Sequence, residues 1–302
     1  MSFNYHCISC NINSVIRIIN LLKPGREQSE QIIRDVLKYL STADYKKSNP
    51  EITSDILEII CKSTGDSDPY RDIKEYCNRE LLKMHDELSL IINSSPGKFT
   101  AALKMAIAGN LIDFSAKYSF NMQEAKQKII ESSAMKLEID HSNELHEKLK
   151  YAKSLLYLGD NCGEIVLDKL FIGHIKNEFP CLKVYFGVRG KPVSNDVTFI
   201  DAEMTGMNDV AEIIENGDGS SGTVLDRVSG PFREIFNNAD VIISKGQGNY
   251  ESLASAPGEN IFFLFMAKCE LVAEALGVGT MAILCIKNAP PGGRASFNTH
   301  QV

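Results

Sequence analysis

The sequence predicts an α/β fold, with a Rossmann-like, three-layer parallel-sheet core and an N-terminal all-helical domain. Two observations predict it. Before residue 150, apolar residues recur at helical spacing, whereas after it short apolar runs rich in β-branched and aromatic residues alternate with helical stretches. Such alternation favours a parallel sheet covered on both faces, because each crossover places a helix over the sheet. We therefore expect a helical domain at 1–150, an α/β domain at 151–289 and a flexible tail at 290–302.

Four segments of the first half place apolar residues at positions i, i+3, i+4 and i+7, which is the pattern of an amphipathic helix. Residues typical of turns, such as Pro-Gly and Asn-Pro, separate these segments. The predicted helices cover residues 28–40, 52–62, 70–92 and 98–118.

In the second half, the predicted strands are short apolar runs separated by helical stretches. They cover residues 154–158, 182–188, the neighbourhood of Val224, 241–244, 261–265 and 281–286. The carboxyl ends of parallel strands line the ligand crevice of an open α/β sheet. Residues that follow these strands are therefore the first candidates for a functional site.

Composition excludes several classes of function. The chain has 302 residues, of which 44% are hydrophobic, enough to bury a substantial core. Its 39 acidic and 32 basic residues give a net charge of −7, which argues against a nucleic-acid surface. The longest apolar stretches are too short to span a bilayer, and the first residues do not resemble a signal peptide. We expect a cytoplasmic protein whose eight cysteines are reduced thiols.

Polar side chains follow three of the predicted strands. Asp160 and Asn161 follow the first, and Asp196 lies in the loop after the second. Lys245 follows the strand at 241–244, and nearby glycines let backbone N–H groups approach the same anion. Carboxylate and amide oxygens suit Mg²⁺, Mn²⁺ or a similar divalent ion, which usually keeps open positions for water and a substrate phosphate. The set implies metal-assisted attack on a phosphate ester, although Asp160 alone also suits a helix N-cap.

Six motifs occur in order along nearly the whole chain: Cys-Ile-Ser-Cys at 7–10, Ala-Ile-Ala-Gly-Asn-Leu-Ile-Asp at 106–113, Asp-Asn-Cys-Gly-Glu at 160–164, Arg-Gly-Lys-Pro-Val-Ser-Asn-Asp-Val-Thr at 189–198, Lys-Gly-Gln-Gly-Asn at 245–249 and Lys-Cys-Glu at 268–270. Together they resemble the metal-dependent damage-control phosphatases, formerly domain of unknown function 89, in the prokaryote-type branch with paired N-terminal cysteines. Cys162 and Gly248 depart from the family, in which alanine-like residues are more frequent there, but neither is a proposed ligand.

The resemblance implies a divalent-metal-dependent phosphatase, a phosphoric monoester hydrolase, that acts on small phosphorylated metabolites such as sugar phosphates or damaged cofactor derivatives. It implies that Asp160, Asn161 and Asp196 hold the metal, with Mn, Mg, Co and Ni as candidates, and that Lys245 contacts the substrate phosphate. Two routes stay open: Asp160 as a nucleophile, or attack by water that the metal activates. The expected partner is a small phosphorylated metabolite, not a nucleic acid or a membrane.

Three residues near these ligands are candidates for substrate binding. The N–H of Gly163 is expected to stabilise charge on the transferring phosphoryl group. Glu164 is expected to support the loop or to contact a metal-bound water. For Arg189 two interpretations stay open, a two-pronged bond to phosphate or a salt bridge to Asp196 or another loop carboxylate.

Four more candidates have competing interpretations. Asn249 and Glu251 begin the helix after Lys245, and Glu251 either orients that lysine, contacts sugar hydroxyls or simply favours the helix dipole. Asn110 and Asp113 share one face of an apolar helix. They either cap a neighbouring loop or form the helical domain's wall of the site, over which that domain closes as a lid.

The paired cysteines Cys7 and Cys10 are half of a zinc site, a redox pair or the first turn of a helix, and the sequence does not choose between these. Cys269 is the candidate third thiol if the termini meet. These three residues are therefore candidates for a second metal or for structural thiols.

Two alternatives to a phosphatase stay open. A Rossmann-type methyltransferase would use the glycine after the first strand, although the further glycines of a cofactor loop are missing. A non-catalytic sensor would bind a phosphorylated metabolite through the same crevice. No GxxxxGK[ST] loop is present, which argues against a nucleotide kinase.

Overall fold

The computed structural model describes residues 1–109, 122–132 and 134–289. Its helices are α1 (Cys7–Leu22), α2 (Arg26–Thr42), α3 (Asn49–Thr64), α4 (Arg71–Leu82), α5 (His85–Ser94), α6 (Lys98–Ala108), α7 (Met122–Ser132), α8 (Ser142–Tyr151), α9 (Glu164–Glu178), α10 (Phe199–Met204), α11 (Gly230–Asn238), α12 (Gln247–Leu253) and α13 (Glu270–Leu276). None of the helices in these ranges is long and apolar enough to span a bilayer. The predicted tail at 290–302 and the end of the predicted helix at 98–118 lie outside the described residues.

The strands form one sheet in the order β1-β7-β6-β5-β2-β3-β4. They are β1 (Ile139–Asp140), β2 (Ser154–Leu158), β3 (Lys183–Val188), β4 (Glu212–Glu215), β5 (Val241–Lys245), β6 (Ile261–Met266) and β7 (Ile283–Lys287). Neighbouring strands are parallel except β6 and β7. The chain runs from β2 outward to β4 and then returns to place β5 on the other side of β2. Open α/β sheets bind ligands at such a switch point.

Helices cover both faces of the sheet, which gives the three layers that the sequence predicts. Along β2, Leu155 and Tyr157 belong to one hydrophobic core, whereas Leu156 and Leu158 belong to another, following the two-residue period of a strand. The first core contains side chains from α4 through α9, and the second is covered by α11, α12 and α13.

The first core also crosses residue 150. Ile107 of α6 lies in the same cluster as Ile165 and Phe171 of α9. Helices α1, α2 and α3 instead enclose a separate core that includes Val15 and Ile52. The α4–α8 region is therefore part of the sheet's hydrophobic core, and the domain boundary at 150 stays a prediction.

Three details differ from the sequence prediction. The strand expected near Val224 is wrong, because its carbonyl accepts hydrogen bonds from the N–H groups of Arg227 and Val228 and so closes a turn. The strand is β4 instead, an edge strand in which two isoleucines lie between exposed glutamates. The helix expected at 70–92 divides into α4 and α5 without a glycine or proline at the break. Both parts bury their apolar side chains in the first core, which explains the continuous helical pattern.

Candidate active site

Four of the predicted site residues lie at the carboxyl ends of neighbouring strands. Asp160 and Asn161 follow β2, Asp196 lies in the loop between β3 and α10, and Lys245 ends β5. Strands β2 and β5 flank the switch point of the sheet. The residues that follow them therefore enter one crevice from both sides.

Main-chain contacts hold the loop after β2 against the loop after β3. Asn161 and Asp196 form an isolated antiparallel bridge. The N–H of Val197 donates to the carbonyl of Asp160 at 2.9 Å. The backbone therefore fixes the three proposed metal ligands relative to one another before any ligand binds.

Gly246 brings the loop after β5 against the same carboxylate. A Cβ added to this glycine would lie 2.0 Å from Oδ2 of Asp160, and its φ of +80° belongs to the region that favours glycine. Close approach of the two loops and the backbone angle both require glycine at this position.

Arg189 is buried between the two carboxylates of the site. Its Nε donates to Oδ2 of Asp196 at 2.7 Å, and its Nη1 donates to Oδ1 of Asn249 at 3.3 Å. Its Nη2 lies 3.9 Å from Oδ1 of Asp160 and has no hydrogen-bond partner among the described residues. The salt bridge to Asp196 is present, and one buried N–H group of the same guanidinium remains for an anionic oxygen.

The donor set fits a hard divalent cation. Asp160 and Asp196 are both buried, and Arg189 is the cation that lies between them. Burial raises the pKa of the Asp196 carboxyl despite the opposing charge of Arg189, which means that its negative charge is incompletely compensated. The Nδ2 group of Asn161 donates to Oδ2 of Asp160 at 2.6 Å, which leaves the amide oxygen as a ligand. A bound cation would offset the remaining charge.

This set contains two carboxylates and one amide oxygen. Across residues 1–109, 122–132 and 134–289, no group of three or more His, Cys, Asp and Glu side chains is arranged to hold an ion. The fit to a metal at this site therefore depends on Asn161 as the third protein ligand.

Lys245 is fully buried, and protein groups take all three of its N–H donors. Its Nζ donates to the carbonyl of Ala106 at 2.8 Å, to Oδ1 of Asp168 at 2.6 Å and to Oε1 of Glu164. Burial alone would lower the pKa of Lys245, but the carboxylates of Asp168 and Glu164 raise it above its ordinary value. A bond from this ammonium to phosphate stays a prediction, and it requires one of these three bonds to open.

Sequence reasoning missed Asp168 and Tyr157, which complete this buried cluster. The hydroxyl of Tyr157 donates to Oδ1 of Asp168 at 2.6 Å. Glu164 and Asp168 are four residues apart on α9 and so lie on one face of the helix. Two acidic residues at this spacing, at the start of a largely apolar helix, are the sequence feature that could have predicted a buried acidic pair.

The buried carboxyl of Asp168 predicts a pH-dependent stability. Burial raises its pKa from 3.8 to about 7, although the charge of Lys245 opposes the rise. Between these values the folded protein keeps a proton that the unfolded chain releases, so the free energy of unfolding falls as pH rises from about 4 to about 7. The shift corresponds to at most ~4 kcal/mol. Denaturant unfolding of metal-free protein at several pH values would measure this slope.

Asp168→Asn is the matched variant for this measurement. Because asparagine does not titrate, we expect its free energy of unfolding to change less between pH 4 and pH 7 than that of the wild type. Identical slopes in both proteins would contradict a raised pKa at Asp168.

Gly163 is held differently from the expectation. Its φ is +79°, and its N–H donates to Oδ1 of Asn78 at 2.6 Å. This N–H group is therefore already bonded within the protein, and in this structure it is not available to a phosphoryl group.

Asn249 is fully buried and connects the loops of the site. Its Nδ2 donates to the carbonyl of Lys245 at 2.8 Å and to that of Gly159 at 3.2 Å, while its Oδ1 accepts from Arg189 and Thr223. All of these bonds are internal, so they support a structural role more directly than contact with substrate.

Glu251 bonds to Gln247 at 2.7 Å, and burial raises its pKa. Lys245 has its acidic partners elsewhere, at Glu164 and Asp168. The expectation that Glu251 orients Lys245 is therefore wrong for this structure. The predicted wall residues Asn110 and Asp113 lie outside the described residues.

The N-terminal thiols lie in the first turns of α1. Burial raises the pKa of Cys7 to about 11, and the charges of Glu251, Cys269 and Cys10 add to the rise. Cys269 therefore lies near enough to Cys7 to influence its charge, as the sequence-based expectation of a third thiol requires. The Cys7 thiol is therefore protonated near neutral pH. The candidate second metal stays a prediction, because no ready group of ligands is present among the described residues.

The similarity to known proteins extends over nearly the whole chain. The family model described as "Damage-control phosphatase ARMT1-like domain" matches residues 3–284. The chain is 33% identical to a damage-control phosphatase of Pyrococcus horikoshii, over 95% of this chain and 99% of that protein. It is 30% identical to a damage-control phosphatase of Archaeoglobus fulgidus, over 90% of this chain and 94% of that protein. The crystal structure of a DUF89 family protein from Pyrococcus horikoshii superposes with a TM-score of 0.88 at 33% identity, over 96% of this chain and 100% of that one.

Proposed function

Because the chain belongs to the damage-control phosphatase ARMT1-like family, we propose that it is a divalent-metal-dependent phosphatase. Its substrates are phosphate monoesters of small metabolites, either sugar phosphates or damaged phosphometabolites. The observation that carries this proposal is the convergence of Asp160, Asn161 and Asp196 in one crevice with an unpartnered N–H group of Arg189. Oxygen ligands beside a spare guanidinium donor suit a phosphate that is bound by a cation and by the protein at once.

Each residue of the crevice then has a chemical role. Asp160, Asn161 and Asp196 hold the cation, which supplies a Lewis acid that neutralises charge on the phosphate oxygens. The Nη2 group of Arg189 donates to one of those oxygens, while its Nε stays on Asp196. These donors are in place before charge develops, so the site does not reorganise during the reaction.

Lys245 acts mainly by placing Glu164. Its ammonium bonds to Oε1 of Glu164, and Oε2 of the same carboxylate accepts from Nδ2 of Asn161 at 3.4 Å. The amide of Asn161 is thereby oriented with its nitrogen toward the two acids, which turns its oxygen toward the cation site. The buried lysine thereby orients Asn161 through Glu164, without binding the metal itself.

The test of this proposal is phosphate release from metal-stripped protein. The substrates are a panel of sugar phosphates, nucleotides and a generic aryl phosphate, each with Mn²⁺, Mg²⁺, Co²⁺ or Ni²⁺ added back. We expect release only with added metal, and the panel then ranks the substrates. Absence of release with every metal, from protein shown to be folded, would contradict the phosphatase and favour the metabolite sensor, with binding of a methyl donor tested next.

A further inference from the structure

Asn78 is a fully buried polar residue in the middle of α4, a helix that packs against α9 and α10. A buried amide is costly unless its donor and acceptor are both used. Both are used here: one partner, Gly163, ends the loop after β2, and the other, Asp201, lies in the first turn of α10, after the loop that carries Asp196.

The first bond holds the loop that carries Asp160 and Asn161. Oδ1 of Asn78 accepts the N–H of Gly163 at 2.6 Å. Gly163 is the residue before α9, so its N–H lies at the helix start, where donors lack partners within the helix. The amide of Asn78 therefore fixes the backbone two residues after Asn161.

The second bond reaches the loop that carries Asp196. Nδ2 of Asn78 donates to Oδ1 of Asp201 at 3.3 Å. Oδ2 of Asp201 accepts from the N–H of Thr198 at 2.9 Å and from its hydroxyl at 2.6 Å, which caps α10. Thr198 is two residues after Asp196, so the contacts of Asn78 reach both ligand loops.

Lys74, one turn earlier on α4, supplies the positive charge for this arrangement. Its buried ammonium lies 2.9 Å from Asp68 and 3.4 Å from Asp201. Burial alone would lower the pKa of Lys74, but Asp201 and Asp68 raise it above its ordinary value. The carboxylate that Asn78 contacts is therefore charge-compensated and remains a strong acceptor.

We propose that Asn78 is a positioning residue of the active site, which joins the Asp160–Asn161 loop to the Asp196 loop through Gly163 and Asp201. This role rests on the proposed function, because it concerns the geometry of the proposed metal ligands. Groups that hydrogen-bond directly to metal ligands typically change metal affinity 10- to 100-fold when they are replaced. Asn78 acts one step further away, through Gly163 and Asp201, so the lower end of that range is expected. Helix α4 thus contributes to the site without contacting the metal or the substrate.

The test is the affinity of metal-stripped protein for Mn²⁺, followed by the loss of the free-ion electron paramagnetic resonance signal. Asn78→Leu removes both hydrogen bonds and keeps the branching of the side chain at Cγ, and we expect its Kd for Mn²⁺ to rise about 10-fold. Asn11→Leu is the matched control, because Asn11 is also a buried helical asparagine but bonds only within the separate core of α1 and α3. We expect the control to lose stability without losing Mn²⁺ affinity.

Asn78→Ala serves as the second variant if the leucine does not fold, since it removes the same bonds and leaves room for water. Wild-type Mn²⁺ affinity in a folded Asn78 variant would overturn the positioning role while the phosphatase proposal stands. An equal loss of affinity in Asn11→Leu would also overturn it, because the effect would then follow from stability alone. If the wild type neither binds Mn²⁺ nor releases phosphate with any metal, the proposed function fails and the positioning role fails with it.

Discussion

Asp160→Ala is expected to lower kcat/KM for phosphate release by roughly 10³-fold, which corresponds to ~4 kcal/mol of transition-state stabilisation. Asp160 is the proposed ligand that all three loops approach: Val197 bonds to its carbonyl, Asn161 to its carboxylate, and Gly246 packs against that carboxylate. Its removal takes away one of the two carboxylates that hold the cation. The measurement is steady-state phosphate release with the preferred metal, together with the Kd for Mn²⁺.

The matched control is Asp226→Ala. The Asp226 side chain is 99% exposed, and its ion-pair partner within the described part of the chain is the half-exposed Arg233. Its loss is therefore expected to leave both activity and stability nearly unchanged. Because the Asp160 side chain is buried among the loops of the site, circular dichroism of Asp160→Ala must first show that this variant is folded. Activity within tenfold of the wild type in folded Asp160→Ala would exclude this carboxylate as a metal ligand or nucleophile.

Lys245→Met is expected to have the largest effect on stability. The change keeps the approximate length of the side chain but leaves the carboxylates of Glu164 and Asp168 buried without their shared cation. Breaking a buried ion pair in this way costs about 3–5 kcal/mol. We expect that loss in the free energy of unfolding at pH 8, and a smaller loss at pH 5, where Asp168, whose pKa burial raises to about 7, carries a proton. Denaturant unfolding at both pH values is the measurement.

A triple variant, Lys245→Met with Glu164→Gln and Asp168→Asn, separates charge from packing. Replacing all three charges removes the uncompensated carboxylates, so we expect it to recover part of the lost stability. Equal destabilisation of the single and triple variants would mean that packing rather than charge holds this cluster together. Phosphate release should stay low in both. In the single variant Glu164 loses its bond from Lys245, and in the triple variant Asn161 also loses the Glu164 carboxylate.

The grouping of the proposed ligands could be predicted from sequence because each follows a buried strand. Residues at the carboxyl ends of neighbouring parallel strands must meet, whatever the rest of the fold does. Lys245 follows the same rule, and its position was predicted while its partners were not. One partner is the main-chain carbonyl of Ala106, which no side-chain pattern can indicate. Another is Asp168, which in the sequence looks like an ordinary polar position on a helix.

Long-range contacts account for what the sequence could not predict. Asn78 is 85 residues from Gly163 in the chain, and a single asparagine in an amphipathic helix resembles any polar position until its burial is known. The edge strand β4 has only two apolar residues between glutamates, whereas the apolar pair Val224-Leu225 lies in a turn that the carbonyl of Val224 closes. In both segments, tertiary packing rather than the local apolar pattern determines whether a strand forms.

The shared hydrophobic core across residue 150 limits how substrate preference can be transferred between relatives. A chimera that joined residues 1–150 of this chain to the second half of a relative at 33% identity would have to pack α6 of one protein against α9 of the other, although the two sequences have diverged. It would also have to reproduce the bond from Lys245 to the carbonyl of Ala106. The first 150 residues are therefore not expected to be exchangeable between relatives. Single substitutions at the crevice are a better way than recombination to change which metabolite is preferred.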